Sequence, residues 1–149
     1  MLAKAASYCA YQERTQQEVR ERLKKWHIFG DEAEEIISEL IAQNYINEER
    51  FAKSFAGGKF RIKNWGGLKI KQELKRKGLT DYNIRSAMEG IDQDDYEKEL
   101  HQLIQKKYDA VSRTDPDPWK QKQKVARYAI SKGFEPELVW KAIEAILPS

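Results

Sequence analysis

The chain has 149 residues, 40% hydrophobic and 34% charged, enough for a real core and suited to a helix-rich protein in water. Lys and Arg outnumber Asp and Glu by only 27 to 24, a net charge of +3, which excludes a uniformly basic polyanion binder. One cysteine, Cys9, excludes an internal disulfide and reads as a small apolar residue on a helix face; no run of 18 apolar residues occurs, which excludes a membrane-spanning helix.

Helix signals run the length of the chain, and strand signals are almost absent. The start, "MLAKAASYCAYQER", lacks the apolar core and cleavage site of a signal peptide, so a reducing, cytoplasmic location is expected. A first helix is predicted over 3–13, with Tyr8 and Tyr11. Thr15-x-x-Glu18 and Asp31-x-x-Glu34 have capping-box spacing and predict the next two helix starts. Asn47, followed by Glu48 and Glu49, opens a helix over 47–63 carrying Phe51 and Phe55. The next helix runs from near Gly66 to near Lys77, and Gly78 reads as a left-handed cap. A helix over about 93–111 carries Tyr96, Leu100 and Leu103, and two prolines make 112–118 an irregular connection. Gly133 is a second left-handed cap, and Pro136 suits the first turn of the last helix.

Three segments repeat one pattern: "VRERLKKWHIFGDEAEEIISEL" from 19, "IKQELKRKGLTDYNIRSAMEGI" from 70 and "VARYAISKGFEPELVWKAIEAI" from 125. Val19, Ile70 and Val125 coincide, as do Leu23, Leu74 and Ala129, then Ile28, Leu79 and Phe134. In the second half Ala33, Ile84 and Val139 match, and Leu40 falls with Ile91 and Ile146. With an earlier helix before each, the expected architecture is all-α: three tandem three-helix repeats, 1–44, 45–91 and 92–149, forming an elongated, curved array.

Charge is sorted along this frame. Residues 31–49 carry seven acids and no base, and 119–132 carry five bases and no acid. The stretch "KFRIKNWGGLKIKQELKRKGL", 59–79, holds eight bases and one acid. With Ile70 and Leu74 turned to the core, Lys75 and Arg76 point outward and Lys71 flanks the apolar stripe. Arg20, Lys24 and Lys25 take the equivalent positions in the first repeat. The third repeat departs, with Ala126, Ile130 and Ser131 there and its bases at Lys120, Lys122, Lys124 and Arg127. Matched cations on matched helices suit phosphates or an acidic protein groove.

"WGGLKIK" lacks the spacing and the preceding strand of a phosphate-binding loop, so its glycines read as an inter-helix turn allowing close crossing. Gly66 aligns with Thr15, a helix N-cap, and Trp65 reads as a packing residue rather than a base-stacking platform. His27 and His101 lack metal-ligand spacing, and no serine has a nucleophile-elbow context. No enzyme, no metal and no cofactor is therefore expected.

Two stretches resemble the RecX family of recombination regulators. In "YINEERFAKSF" these are Tyr45, Ile46, Asn47, Glu48, Glu49, Arg50, Phe51 and Ala52; in "GGLKIKQELKRKGL" they are Gly66, Lys69, Ile70, Glu73, Leu74, Lys77 and Gly78. "YQERTQQEVRERLKKW" looks like that family's first unit, and "KVARYAISKGFEPELVWKAI" like its closing one. His27 departs from the pattern, standing where the family often has Gly. The resemblance implies a modular all-helical regulator that binds RecA recombinase filaments on DNA and restrains ATPase, strand-exchange and coprotease activity, with single- or double-stranded DNA a further partner, no membrane and a monomeric state. With the basic middle helices turned to such a filament, contact is expected at Lys69, Lys71, Lys75 and Arg76, then Arg20, Lys24 and Lys25, then Lys124 and Arg127. Arg50, behind Glu48 and Glu49, is expected instead to tie helices together. The alternatives are a general DNA-binding helical module without a recombinase partner, and a passive helical scaffold.

Overall fold

The computed structural model describes residues 1–148, and every regular element among them is a helix. In chain order they are α1 (Leu2–Tyr11), α2 (Gln16–Lys25), α3 (Gly30–Ala42), α4 (Glu48–Lys63), α5 (Gly67–Arg76), α6 (Asp81–Glu89), α7 (Gln93–Ser112), α8 (Pro118–Ser131) and α9 (Pro136–Ile146). The protein is thus all-α, three tandem three-helix repeats. Among the described residues no helix is long and apolar enough to cross a membrane.

The repeat is enforced by how its middle helices end. At the close of α2, His27 N–H donates to Lys24 O at 3.0 Å and Ile28 N–H to Leu23 O at 2.9 Å. Gly78 and Leu79 make the same pair of bonds to Lys75 and Leu74, and Gly133 and Phe134 make it to Ile130 and Ala129. These are three Schellman caps, in which a left-handed residue reverses the chain and an apolar one folds back on the helix. The φ angles fit, at 60° for His27, 87° for Gly78 and 100° for Gly133. Ile28, Leu79 and Phe134 are the apolar residues turned inward, all buried. The coincidences seen in the sequence at 23, 74 and 129 and at 28, 79 and 134 are therefore one hydrogen-bonded turn used three times.

His27 is the odd member, because a β-carbon in the left-handed region costs about 1–2 kcal/mol, and its side chain is exposed. His27→Gly is expected to stabilise the protein by about 0.5–1 kcal/mol after the added unfolded-state entropy of glycine is subtracted. Urea denaturation of the two proteins side by side checks this; a lower midpoint for the variant would show that His27 holds more than its turn.

Other starts follow the sequence with one correction. Thr15 is fully buried, its hydroxyl accepts from Glu18 N–H at 3.1 Å, and the Glu18 carboxylate accepts from Thr15 N–H. That completes the first capping box. Asn47 caps α4 through Arg50 N–H, at 2.9 Å. Asp31, however, does not cap α3: Phe29 is the N-cap and Gly30, at φ 60°, the first helical residue, so the helix starts two residues earlier than an Asp31 cap would set. Asp31 is left as an acid in the first turn, and Glu34 is released to pair elsewhere.

Two compact units form, Met1–Phe55 with Leu74–Ala87, and Ala56–Glu73 with the chain from Met88 onward. The second repeat is shared between them, with α4, α5 and α6 each divided. In the first unit Ala5, Cys9, Val19, Leu23, Ile28, Ala33, Ile37, Leu40 and Ile46 form one apolar cluster. Cys9 lies inside it, where burial pushes its thiol above the usual range. In the second, Tyr96 stacks on Phe60 (ring centroids 5.7 Å apart) and leans on Phe134 (5.2 Å).

The start of α5 is fastened within that second unit. Gly66 N–H donates to Lys132 O at 2.7 Å, and Leu68 N–H to Gly133 O at 2.9 Å. Between them, Gly67 N–H donates to the Tyr96 hydroxyl at 2.7 Å, and that hydroxyl donates in turn to Glu135. Three consecutive N–H groups that a helix start leaves without partners are satisfied in this way. Burial and the bond to Glu135 raise the Tyr96 phenol well above its usual range. The neutral phenol is the favoured form in the fold, so its contribution is full below the unfolded value of about 10 and is lost as pH rises past it. Tyr96→Phe is expected to lower stability at neutral pH by about 1–3 kcal/mol, since it orphans a buried N–H. The gap from the unaltered protein should narrow above about pH 10, as paired denaturation curves against pH will show; a gap constant with pH would refute the assignment.

Candidate interaction surface

The basic residues singled out in the sequence fall into three environments. Arg20 and Lys24 are engaged on the surface. Arg20 makes a two-pronged pair with Glu34, Nε to Oε1 at 2.9 Å and Nη2 to Oε2 at 3.0 Å. This bond raises the Arg20 value and holds the Glu34 carboxyl below its usual range. Lys24 reaches Glu21 at 3.4 Å. Lys124 is likewise paired, with Asp115 at 2.9 Å, which lowers that carboxyl.

A second group is laid over rings or beside cavities. Lys69 is half-buried, its ammonium 4.5 Å from the centre of the Trp65 ring, and Lys59 lies 4.8 Å from the same ring. Trp65 is thus a half-buried packing residue held by cations. Lys71 is exposed and borders a depression with Gly67, Met88, Tyr96 and Glu135. Arg127 is exposed beside Lys107 and Tyr128. Arg50 pairs with Glu13 and donates to Asn44 O at 3.1 Å, so it ties α4 to two connections rather than to a second helix. Its neighbour Glu48 accepts from Gln16 N–H at 3.1 Å, tying the start of α4 to that of α2.

The third group converges. Within the first unit, an open cleft of about 270 Å³ is lined by Lys25 of α2 and Arg76 of α5, with Arg22, Lys77, Tyr8 and Gln17. Lys25 and Arg76 are repeat equivalents, 51 residues apart, and both are exposed. Lys75, next to Arg76, is also exposed and shows no ion pair among the described residues. Two acids, Glu18 and Glu21, share the cleft, but Glu18 is committed to its capping box and Glu21 faces Lys24. The cleft carries four cations at the C-terminal ends of two helices, where positive charge also suits the helix dipole.

Arg22 and Lys77 were missed in the sequence because their repeat partners are Glu73 and Trp26, so the comparison of repeats hides them. Aromatic neighbours would have been the signal. Arg22 lies 4.7 Å from the Tyr8 ring centre, Arg14 3.9 Å from the same ring, and Lys77 5.6 Å from Phe55. No group of three metal-ligating side chains occurs among the described residues.

Comparison with known proteins bears on this surface. Models of the first, second and third three-helix domains of RecX match residues 2–40, 47–88 and 94–143. The regulatory protein RecX of Clostridium beijerinckii is 29% identical over 134 residues, 90% of this chain and 62% of the relative. That of Streptococcus uberis is 32% identical over 144 residues, 96% of this chain and 54% of the relative. The chain thus spans a little over half the length of such curated relatives. The crystal structure of RecX from Lactobacillus salivarius superposes with a TM-score of 0.87 at 25% identity, covering 97% of this chain and 93% of that one.

Proposed function

Because the chain belongs to the RecX family of regulatory, non-catalytic proteins, we propose that it binds RecA recombinase filaments on DNA and restrains their ATPase, strand-exchange and coprotease activities. The observation that carries this reading is the convergence of Lys25 and Arg76, repeat equivalents, in one cation-lined cleft with Arg22 and Lys77. Such a cleft suits an acidic segment of a protein surface, or phosphates presented by it. Lys75 adds to the cations beside the cleft, and Lys71, Lys69, Arg20, Lys24, Lys124 and Arg127 are further contacts, those of Arg20, Lys24 and Lys124 weakened by their existing pairs. Occupying both sides of a junction between recombinase subunits would stop the motions that ATP turnover requires. The protein acts as a cytoplasmic monomer, with repeats bounded at 1–44, 45–91 and 92–149.

The test is DNA-dependent ATP hydrolysis by the cognate RecA, with this protein titrated in at fixed salt and with ample DNA. Suppression well below one copy per recombinase subunit is expected, and excess DNA removes competition for sites as its cause. Unchanged hydrolysis together with tight, salt-sensitive DNA binding would replace this reading by a general nucleic-acid module.

A further inference from the structure

Two adjoining hollows between α7 and α8 are given no occupant by this reading, which draws only on Lys124 and Arg127 at the edge of one of them. The first, of about 470 Å³, is lined by Asn64, Glu99, Gln102, Leu103, Lys107 and Tyr128, among others. The second, of about 390 Å³, is lined by Lys107, Lys124, Arg127 and Tyr128, with Val111 and Ser131. They share Lys107 and Tyr128, so they are two ends of one depression. Its chemistry is asymmetric. The first end offers two amides, a leucine wall, the Tyr128 ring and one carboxylate, Glu99, set against Lys106; the second gathers three cations and no acid.

We propose that this depression is a nucleotide site, with the base in the first hollow and the phosphates in the second. Amide side chains carry both a donor and an acceptor and can meet the edge of a base, while an aromatic face stacks on it. Lys107, Lys124 and Arg127 supply the charge-assisted bonds that phosphate oxygens take. The direction follows from the acids: Glu99 offsets Lys106 at the first end, whereas no acid lines the second, so phosphates are drawn there. Two present contacts must yield. The Lys107 ammonium now lies 4.6 Å from the Tyr128 ring centre, and would turn from the ring to the phosphates as the base takes its place. Lys124 must be shared with Asp115. The volume of each hollow lies within the range usual for small-molecule sites.

Binding to the protein alone is measured with ATP, adenosine, inorganic tripolyphosphate and a short oligodeoxythymidylate. ATP is expected to bind about tenfold more tightly than tripolyphosphate or adenosine, since only it fills both hollows. Arg127→Glu should weaken ATP by about tenfold, and Tyr128→Ala by about fivefold or more, with Tyr128→Phe retaining affinity. Asp115→Asn keeps the oxygen that accepts from Asp117 N–H and removes the competing charge, so it should tighten binding. Tyr128 and Arg127 are exposed, so these changes leave the core intact. Reversal at Lys25 and Arg76 should leave ATP binding unchanged, which keeps this site's outcome separate from that of the filament proposal. If the oligonucleotide displaces ATP and is itself lost on the same substitutions, the nucleotide is supplied as part of a strand. Equal affinity for ATP and tripolyphosphate would reduce the depression to an anion patch and overturn the proposal. So would absent binding, or binding indifferent to Arg127 and Tyr128.

Discussion

Gly133→Ala is expected to cost the fold about 2–5 kcal/mol. At φ 100° an alanine is strained whatever the space around it, and here there is none: its β-carbon would lie 2.3 Å from Lys69 Cβ and 2.8 Å from Lys69 N. The first effect costs about 1–2 kcal/mol, and pushing the turn off α5 costs about 1–3 kcal/mol more. The displacement also stretches the bonds from Gly66 and Leu68 to the carbonyls of Lys132 and Gly133. Gly66→Ala attacks the same junction from the other side, with a β-carbon 2.3 Å from both Gly133 C and Phe134 N. It should cost about 2–4 kcal/mol. Gly58, in the middle of α4, is the control, since nothing lies within 4 Å of a β-carbon there. Gly58→Ala should stabilise by about 0.5–1 kcal/mol. Urea denaturation of the three variants decides the matter. A Gly133→Ala midpoint equal to that of the unaltered protein would mean that the two turns do not touch.

That junction marks the boundary of what the sequence could disclose. The Gly66–Gly67 turn was legible as a close crossing, because paired glycines at a helix start leave room for another backbone to approach. Its partner, Gly133, was legible only as a local helix stop. Each Schellman turn is written within about six residues, and the core stripe repeats with helical periodicity, so both survive a reading of local pattern. The ion pair of Arg20 with Glu34 is different: on α2 alone the arginine is indistinguishable from a free surface cation, and only the packing of α3 brings the carboxylate to it. The same holds for Lys124, whose partner Asp115 sits in the connection before α8. Ion pairs made by folding back on the same unit were thus invisible to a local reading, and so was the cleft position of Arg22 and Lys77, whose repeat equivalents are unlike them. At Asp31 a local rule failed because Gly30 offered a cheaper way into the helix.

Charge reversal in the cleft should have the largest functional effect. Lys25→Glu with Arg76→Glu is expected to raise the concentration needed for half-inhibition of RecA ATP hydrolysis by about 100-fold, roughly tenfold for each residue. The estimate follows from replacing an attraction with a repulsion at two exposed positions, each worth about 1.4 kcal/mol. Stability should hardly move. Both residues lie at helix C-terminal ends, where an added acid opposes the dipole by about 0.3–1 kcal/mol each; Arg76 also gives up its exposed contact within the fold, worth about 0–1 kcal/mol, and the sum is too little to unfold the protein. Circular dichroism of the variant should therefore match the unaltered protein. Lys98→Glu with Lys141→Glu, both exposed and neither lining the cleft, makes the same four-unit charge change and should leave inhibition intact. Inhibition lost equally in both variants would point to net charge and long-range attraction rather than a site. Inhibition retained in the cleft variant would remove the cleft from the filament contact and leave Lys71 and Lys75 as the residues to test next. Added salt separates these cases further. Exposed charges act across about 8 Å at physiological ionic strength, so a cleft that engages its partner directly keeps more of its effect at high salt than diffuse attraction does.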